Sequence, residues 1–229
     1  MIHEPPLLTI RRQFPRPRAE DLAGFAGVQT GHAVDAMGGR GALDYRIKPL
    51  APLAKTLVGV AVTCKCGPND NLGLFAALDV VQPGDIIVAA ADGFTGAAVA
   101  GDLVVGMMRN KGVQGFVTDG LVRDVAGILP IGIPVYCAGV TPNSPDRNGP
   151  ATVGLPVLVA GVPVESGDVV IGDGDGLVII PQARIAKALA ALSGVRAAET
   201  ALEAKVRDGL GIPDFALKIL RSDRVIEIE

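Results

Sequence analysis

The chain is predicted to be α/β, one domain on a mixed, partly parallel central sheet flanked by helices. Three observations predict this. The run Ile86–Ala91 is apolar throughout, as a strand buried on both faces is. A helical pattern over 100–111 and a strand pattern over 115–118 follow it, which makes a strand–helix–strand unit with a parallel, right-handed crossover. Beyond residue 150 the pattern changes to short paired strands. PVLVAGVPV at 156–164 reads as a hairpin, and DVVIGDGDGLVII at 168–180 as two strands around an acidic glycine turn.

The remaining elements follow in order. Residues 1–18, with Pro5, Pro6, Pro15 and Pro17, read as an extended arm. Residues 20–38 read as helical, with Thr30 capping a second short helix that ends at Gly38 and Gly39. In a strand over 56–64, Val58, Val60, Val62 and Cys64 share one face by period two. A helix over 70–81 ends at a Pro83–Gly84 turn. The helix over 100–111 carries an apolar stripe of Ala100, Leu103, Val104, Met107 and Met108, and Gly112 ends it. DGLVRDVAGI bends or makes one helical turn, and 134–139 is a further strand. The longest helix spans 182–207, and a short one spans 213–220. With no internal repeat and no linker, residues 19–229 read as one domain behind the arm.

Composition excludes several classes of function. Of 229 residues, 49% are apolar and 20% charged, the balance of a globular chain. A net charge of −3 offers no footprint for nucleic acid and no polybasic membrane patch. Aromatics are 3% with no Trp, which argues against base-stacking platforms. No apolar run reaches the roughly 18 residues of a membrane helix, and PLLTI is too short for a signal-peptide core. Cys64 and Cys66 lie two apart and Cys137 is distant, a spacing that suits neither a disulfide framework nor a zinc site. This cysteine usage is that of a reducing cytoplasm, with Cys64 and Cys66 as small buried apolar groups on one strand face.

The chemistry concentrates where the strand–helix–strand unit turns. Loops after parallel strands leave the same edge of the sheet, where open α/β sheets bind ligands. The first loop delivers Gly101 and Asp102 at a helix start, and the second delivers Arg123 and Asp124. Asp124 is a hard oxygen ligand for Mg²⁺, which keeps several waters. Arg123 offers a planar fork for a carboxylate or 2-oxo acid. The helix's first amides, from Gly101 to Val104, face an anion at the positive dipole end. Asp102 can hold a metal-bound water by hydrogen bond. Taken singly these residues are ordinary, because an acid in a first helical turn and an adjacent Arg–Asp pair are both common surface features.

GDLVVGMMRNKGVQGFVTDGLVRDV resembles the core of the RraA-like superfamily. More narrowly it resembles the class II aldolases for 4-hydroxy-4-methyl-2-oxoglutarate and 4-carboxy-4-hydroxy-2-oxoadipate. Their D-x20-R-D signature is matched by Asp102, Arg123 and Asp124. DNL at 70–72, PGD at 83–85 and SGDVVIGDGDGLVIIP at 166–181 support the resemblance, which covers roughly residues 20–215. It implies a swivelling β/β/α fold and a Mg²⁺- or Mn²⁺-dependent lyase that releases pyruvate from a small 2-oxo acid, with oxaloacetate decarboxylation as a side activity. In that reading Asp124 holds the metal and Arg123 binds the pyruvyl oxygens and stabilises the enolate. The amides of Leu103 and Val104 hold the pyruvyl carboxylate, and Asp102 positions a water that protonates the enolate. The resemblance also implies trimers, or hexamers made of paired trimers, with sites between subunits. A noncatalytic branch that binds a ribonuclease shares the fold but lacks the full acidic signature.

Two further acids enter. Glu199 falls on the apolar seam of Leu192, Val195, Leu202 and Val206, and matches an acid that the family brings to the metal from a neighbouring subunit; on the bland reading it is a helix-face Glu paired with Arg196. GHAVDAMGGR places Asp35 where the family aldolases carry the Glu of a His-Glu pair. The base for the C4 hydroxyl is Glu199, Asp35 or a metal-bound hydroxide. Lys55, Lys65 and Lys111 show no sign of a Schiff-base lysine, GDGDG lacks the length of a calcium loop, and GFTGAAVAG lacks dinucleotide spacing. His3 reads as solvated and His32 as a capping or packing residue.

Overall fold

Four parallel strands carry the molecule: β3 (Leu57–Lys65), β4 (Asp85–Ala90), β6 (Gly115–Thr118) and β8 (Val135–Cys137). Their residues alternate between two cores, as a period of two dictates. Val62, Cys64, Ile87, Ala89 and Phe116 face one side, and Ala61, Ile86, Val88, Val117 and Tyr136 face the other. Both faces are covered, so the strands read as continuous apolar runs. The structure is a computed structural model that describes residue 4 and residues 6–228. His3 lies outside the described residues.

Antiparallel members complete a mixed nine-stranded sheet. The free edge of β3 is shared. β13 (Val169–Gly172) pairs with its first half and β10 (Ala151–Val153) with its end. β14 (Leu177–Ile180) continues from β13, and β2 (Lys48–Pro49) closes the far edge on β8. The N-terminal segment is extended, as its prolines predict, but it is part of the sheet: β1 (Leu8–Ile10) pairs in parallel with β10. Arg16 anchors it further, with a two-pronged bond to the buried Asp85 at 2.6 and 2.9 Å. The predicted hairpin is β11 (Val157–Val159) with β12 (Val162–Val164).

A second, three-stranded parallel sheet was not visible in the sequence. β5 (Ala98–Ala100), β7 (Leu121–Val122) and β9 (Gly139–Val140) extend the paths of β4, β6 and β8 beyond their carboxyl ends. These strands have two or three residues each, too short to show a period.

Helices α3 (Leu72–Ala77), α4 (Asp102–Asn110) and α5 (Val125–Ile128) pack on one face of the main sheet. The predicted helix over 70–81 is shorter, because the chain turns at Leu78–Val81. The predicted stripe on α4 is split. Val104, Val105 and Met108 are buried, whereas Leu103 is 74% exposed and Met107 43%. Helices α1 (Ala19–Gly24) and α2 (Thr30–Ala36) and the start of α6 (Ile185–Arg207) cover β13 and β14. The chain divides into two compact units. The first runs to Leu192. The second, from Ser193, holds the rest of α6 and α7 (Asp214–Leu220).

The cap of α2 differs from the expectation. Thr30 does not cap with its own side chain, because it is the first helical residue. Its amide and hydroxyl both donate to the Asp173 carboxylate, at 2.7 and 2.8 Å. The GDGDG turn is therefore a remote cap that ties α2 to the β13–β14 connection. Burial pushes the Asp173 carboxyl up, but the bonds from Thr30, Asp175 and Gly176 outweigh it and hold its pKa below the usual carboxylate range. A depressed folded-state pKa stabilises above the unfolded value of about 4 and is lost as pH falls through the folded one. Asp173→Ala is predicted to cost about 1–2 kcal/mol at pH 7, the value of a helix cap. Denaturant melts from pH 7 to pH 3 check this, with the gap between wild type and variant narrowing below about pH 4.

Candidate active site

The short parallel sheet assembles the site. Ala100 pairs with Val122, and the Arg123 amide donates to the Ala100 carbonyl at 3.0 Å. The residues that follow each strand end are therefore neighbours: Gly101 and Asp102 beside Arg123 and Asp124. Gly101 then starts α4, with its carbonyl accepting from Val105, and Asp102 stands at the first helical position. Asp124 turns the chain into α5 in the left-handed region, at φ 58°, and its carbonyl accepts from Gly127 and Ile128. That conformation costs a non-glycine residue roughly 1–2 kcal/mol, and Asp is among the residues that tolerate it.

Two glycines give the carboxylates room. A Cβ on Gly101 would stand 2.5 Å from Asp124 Oδ2 and 3.1 Å from Arg123 Nε. Its backbone (φ −125°, ψ −173°) is open to any residue, so space alone demands glycine there. A Cβ on Gly127 would stand 2.5 Å from Asp102 Oδ2.

The Arg123 guanidinium is held on two sides. Nε lies 3.0 Å from Asp124 Oδ2 in an ion pair, and Nη1 donates to Ser144 Oγ. Both ion-pair partners remain part-exposed, 34% and 42%. Asp102 Oδ1 accepts from the Leu103 amide at 2.7 Å. This corrects the expectation of an open Leu103 donor: the neighbouring acid occupies it, and an incoming carboxylate has to share or displace it.

Gly101, Asp102, Leu103, Val104, Arg123 and Asp124 line one cavity of about 140 Å³, several waters' worth at ~30 Å³ each. Sequence reasoning missed Asn71, Phe75 and Arg147, which line it too. Asn71 is 2% exposed. Its Nδ2 donates to the Val99 carbonyl at 2.9 Å, while its Oδ1 is buried with no hydrogen-bond partner. The Arg147 guanidinium lies 5.5 Å from the centroid of the Phe75 ring. The DNL motif was a signal for Asn71; nothing local marked Arg147.

Other predicted acids lie elsewhere. Asp35 is exposed on α2, beside Arg184 and Lys187 around a separate depression. Glu199 is exposed and belongs to the second unit; of its seam Leu192 is buried, whereas Leu202 and Val206 are 45% and 58% exposed. Cys64 and Cys66 are fully buried, and their mutual contact and burial push the Cys64 thiol up, as expected of neutral packing groups.

The donor set fits a hard cation that keeps its waters. Among the described residues no three His, Cys, Asp or Glu side chains converge as a metal cage. Asp124 supplies one part-exposed carboxylate, and Asn71 supplies a buried acceptor, Oδ1, with no hydrogen-bond partner. Such a set suits Mg²⁺ or Mn²⁺ and not a four-ligand zinc site.

Gly101→Ala is predicted to displace Asp124 and Arg123 without unfolding the sheet. The melting temperature should stay within a few degrees, while binding of a 2-oxo acid, the ligand class the sequence resemblance implies, should weaken at least about tenfold, one lost charge-assisted bond. Differential scanning fluorimetry and calorimetric titration of pyruvate check it.

Comparison with known proteins places this geometry. The profile of the RraA-like family (Aldolase/RraA) matches residues 30–179. A Halalkalibacterium halodurans protein, provisionally named a 4-hydroxy-4-methyl-2-oxoglutarate aldolase, is 33% identical over 186 residues, 81% of this chain and 88% of that protein. Streptomyces coelicolor RraAS2, described as an unusual member of the RNase ES inhibitor RraA protein family, superposes with TM-score 0.70 at 28% identity, covering 84% of this chain and 100% of that one. An uncharacterised protein from Pseudomonas syringae pv. tomato shares the fold with TM-score 0.74 at 24% identity, over 86% of this chain and 96% of that one. On its matched segment and its fold, the chain belongs to the RraA-like family.

Proposed function

We propose that the protein is a divalent-metal-dependent aldolase that cleaves a 4-hydroxy-2-oxo acid to release pyruvate and also decarboxylates oxaloacetate. The observation that carries this reading is the single cavity in which Asp102, Arg123 and Asp124 meet. The aldolase name of the H. halodurans relative supports it.

Each residue has a part. Asp124 would hold Mg²⁺ or Mn²⁺, and the unpartnered Asn71 Oδ1 would be the acceptor nearest to hand in the same cavity. When bound, the cation supplies a Lewis acid for the 2-oxo acid end. Arg123 is preorganised by Asp124 and Ser144, so its fork meets the substrate oxygens without searching rotamers. The Val104 amide, and the Leu103 amide once Asp102 yields it, receive the pyruvyl carboxylate at the positive end of α4. A base takes the proton of the C4 hydroxyl. The C3–C4 bond then breaks, a carbonyl forms at C4, and the electron pair becomes the pyruvate enolate beside Arg123. A water held by Asp102 protonates C3. Loss of CO₂ from oxaloacetate leaves the same enolate, so the same groups serve it.

Glu199 is the base we assign, delivered by a neighbouring copy. The exposed apolar side chains beside the site support a subunit contact there. Leu103 and Met107 border an open depression of about 610 Å³ that also includes Asp102 and Ile131. A trimer, or a hexamer of two trimers, with sites between subunits satisfies this. Arg147 is the remaining cation of the cavity, and it suits a second carboxylate on the substrate.

The test is pyruvate release from oxaloacetate and from 4-hydroxy-4-methyl-2-oxoglutarate, with Mg²⁺ and then with excess EDTA. Chelation is expected to abolish both. Arg123→Ala should lower kcat/KM by about 10²-fold or more, the effect of removing a transition-state charge donor. Asp124→Ala should leave only a metal-independent background. No release by folded wild-type protein would favour the ribonuclease-binding reading, which the similarity to RraAS2 supports.

A further inference from the structure

Asp70 is a buried acid that the proposed mechanism does not use. It is 6% exposed and lies one residue before the site's Asn71. Its Oδ1 accepts from the Leu72 amide at 2.8 Å, at the start of α3. Its Oδ2 accepts from the amides of both Asn148 and Gly149, the latter at 3.0 Å. Those amides directly follow Arg147.

Three further bonds join the same two loops. The Asp146 amide donates to the Asn69 carbonyl at 2.6 Å, and the Asn71 amide to the Asp146 carbonyl at 3.1 Å. Asn69 Nδ2 donates to Asp146 Oδ2 at 2.9 Å. Residues 69–72 and 146–149 are thus clamped, with the Asp70 carboxylate at the centre. One side of the clamp carries Asn71 and the other carries Arg147, and both line the cavity. Arg147 has an exposed backbone segment, so a long side chain there would otherwise sample many rotamers. The clamp fixes its Cα, and the Phe75 face fixes its guanidinium.

We propose that Asp70 is a positioning residue that sets Arg147 to receive the distal carboxylate of a dicarboxylic 2-oxo acid, and so selects diacids over monoacids. This rests on reading the cavity as a 2-oxo acid site. Asp70 touches no substrate. It acts through the backbone of 148 and 149, and three amide donors cannot all be met by a neutral carboxamide. Asp70→Asn keeps the volume and turns an NH₂ toward an N–H.

The experiment is calorimetric titration of the full chain with Mg²⁺ present, using two ligands that lack the C4 hydroxyl and cannot undergo the aldol cleavage. 2-Oxoglutarate carries the distal carboxylate and pyruvate does not. Asp70→Asn and Arg147→Met should each weaken 2-oxoglutarate about tenfold, and the double variant no more than either alone, because they break one interaction. Pyruvate affinity should stay within about twofold of wild type in all three. Asn69→Gly keeps the left-handed backbone at 69 (φ 59°) and removes only the outer amide bond, so it tests the clamp even if Asp70→Asn fails to fold. It should shift 2-oxoglutarate in the same direction by a smaller factor. Equal loss for both ligands, additive effects of the two variants, or no change overturns the positioning role. Selective loss without any pyruvate release in the turnover assay would keep this inference and remove the aldolase reaction. No wild-type binding of either ligand would overturn both.

Discussion

The register of a three-stranded parallel sheet governs this molecule's chemistry. Ala100 opposite Val122, with the Arg123 amide on the Ala100 carbonyl, brings two chain segments together at their strand ends. Gly101, Asp102 and Asp124 are then one or two residues from that bond. A slip of one residue would send each side chain to the opposite face of its strand and separate Asp102 from the Arg123–Asp124 pair. The long parallel strands beneath, buried on both sides, hold that register rigid.

Close approach is the second requirement, and glycine meets it. Gly101 and Gly127 let two carboxylates lie against backbone at distances where a methyl group could not fit. Asp124 accepts a left-handed conformation in the same turn. The crowding and the left-handed residue fall in the same turn, a clustering expected of functional sites.

Buried carboxylates do much of the structural work elsewhere. Asp85 binds Arg16 and the Gln82 amide, Asp168 accepts from the amides of Glu165 and Gln182, and Asp119 accepts from Ala91 at 2.6 Å. Each joins segments through main-chain donors, as Asp70 does. By burial, Asp102 and Asp124 are distinct: Asp102 is half-buried and Asp124 exposed where they line the cavity, so their oxygens can exchange partners with a ligand. Composition and spacing do not separate these two groups of acids, because the difference lies in which amides the fold brings to each.

The sequence by itself determined the α/β class, the parallel strand pairs and the convergence of Asp102, Arg123 and Asp124. Strand periodicity, the crossover rule and a strong signature all act over short spans of chain. It also marked Asn71 within DNL without revealing the orphaned oxygen. Only the tertiary structure decided the remote Asp173 cap, the pairing of Leu8–Ile10 in the sheet, the occupied Leu103 amide and the entry of Arg147 into the cavity. All but the Asp102–Leu103 contact join residues far apart in sequence, and a backbone amide carries no residue-specific signal of the partner it will meet.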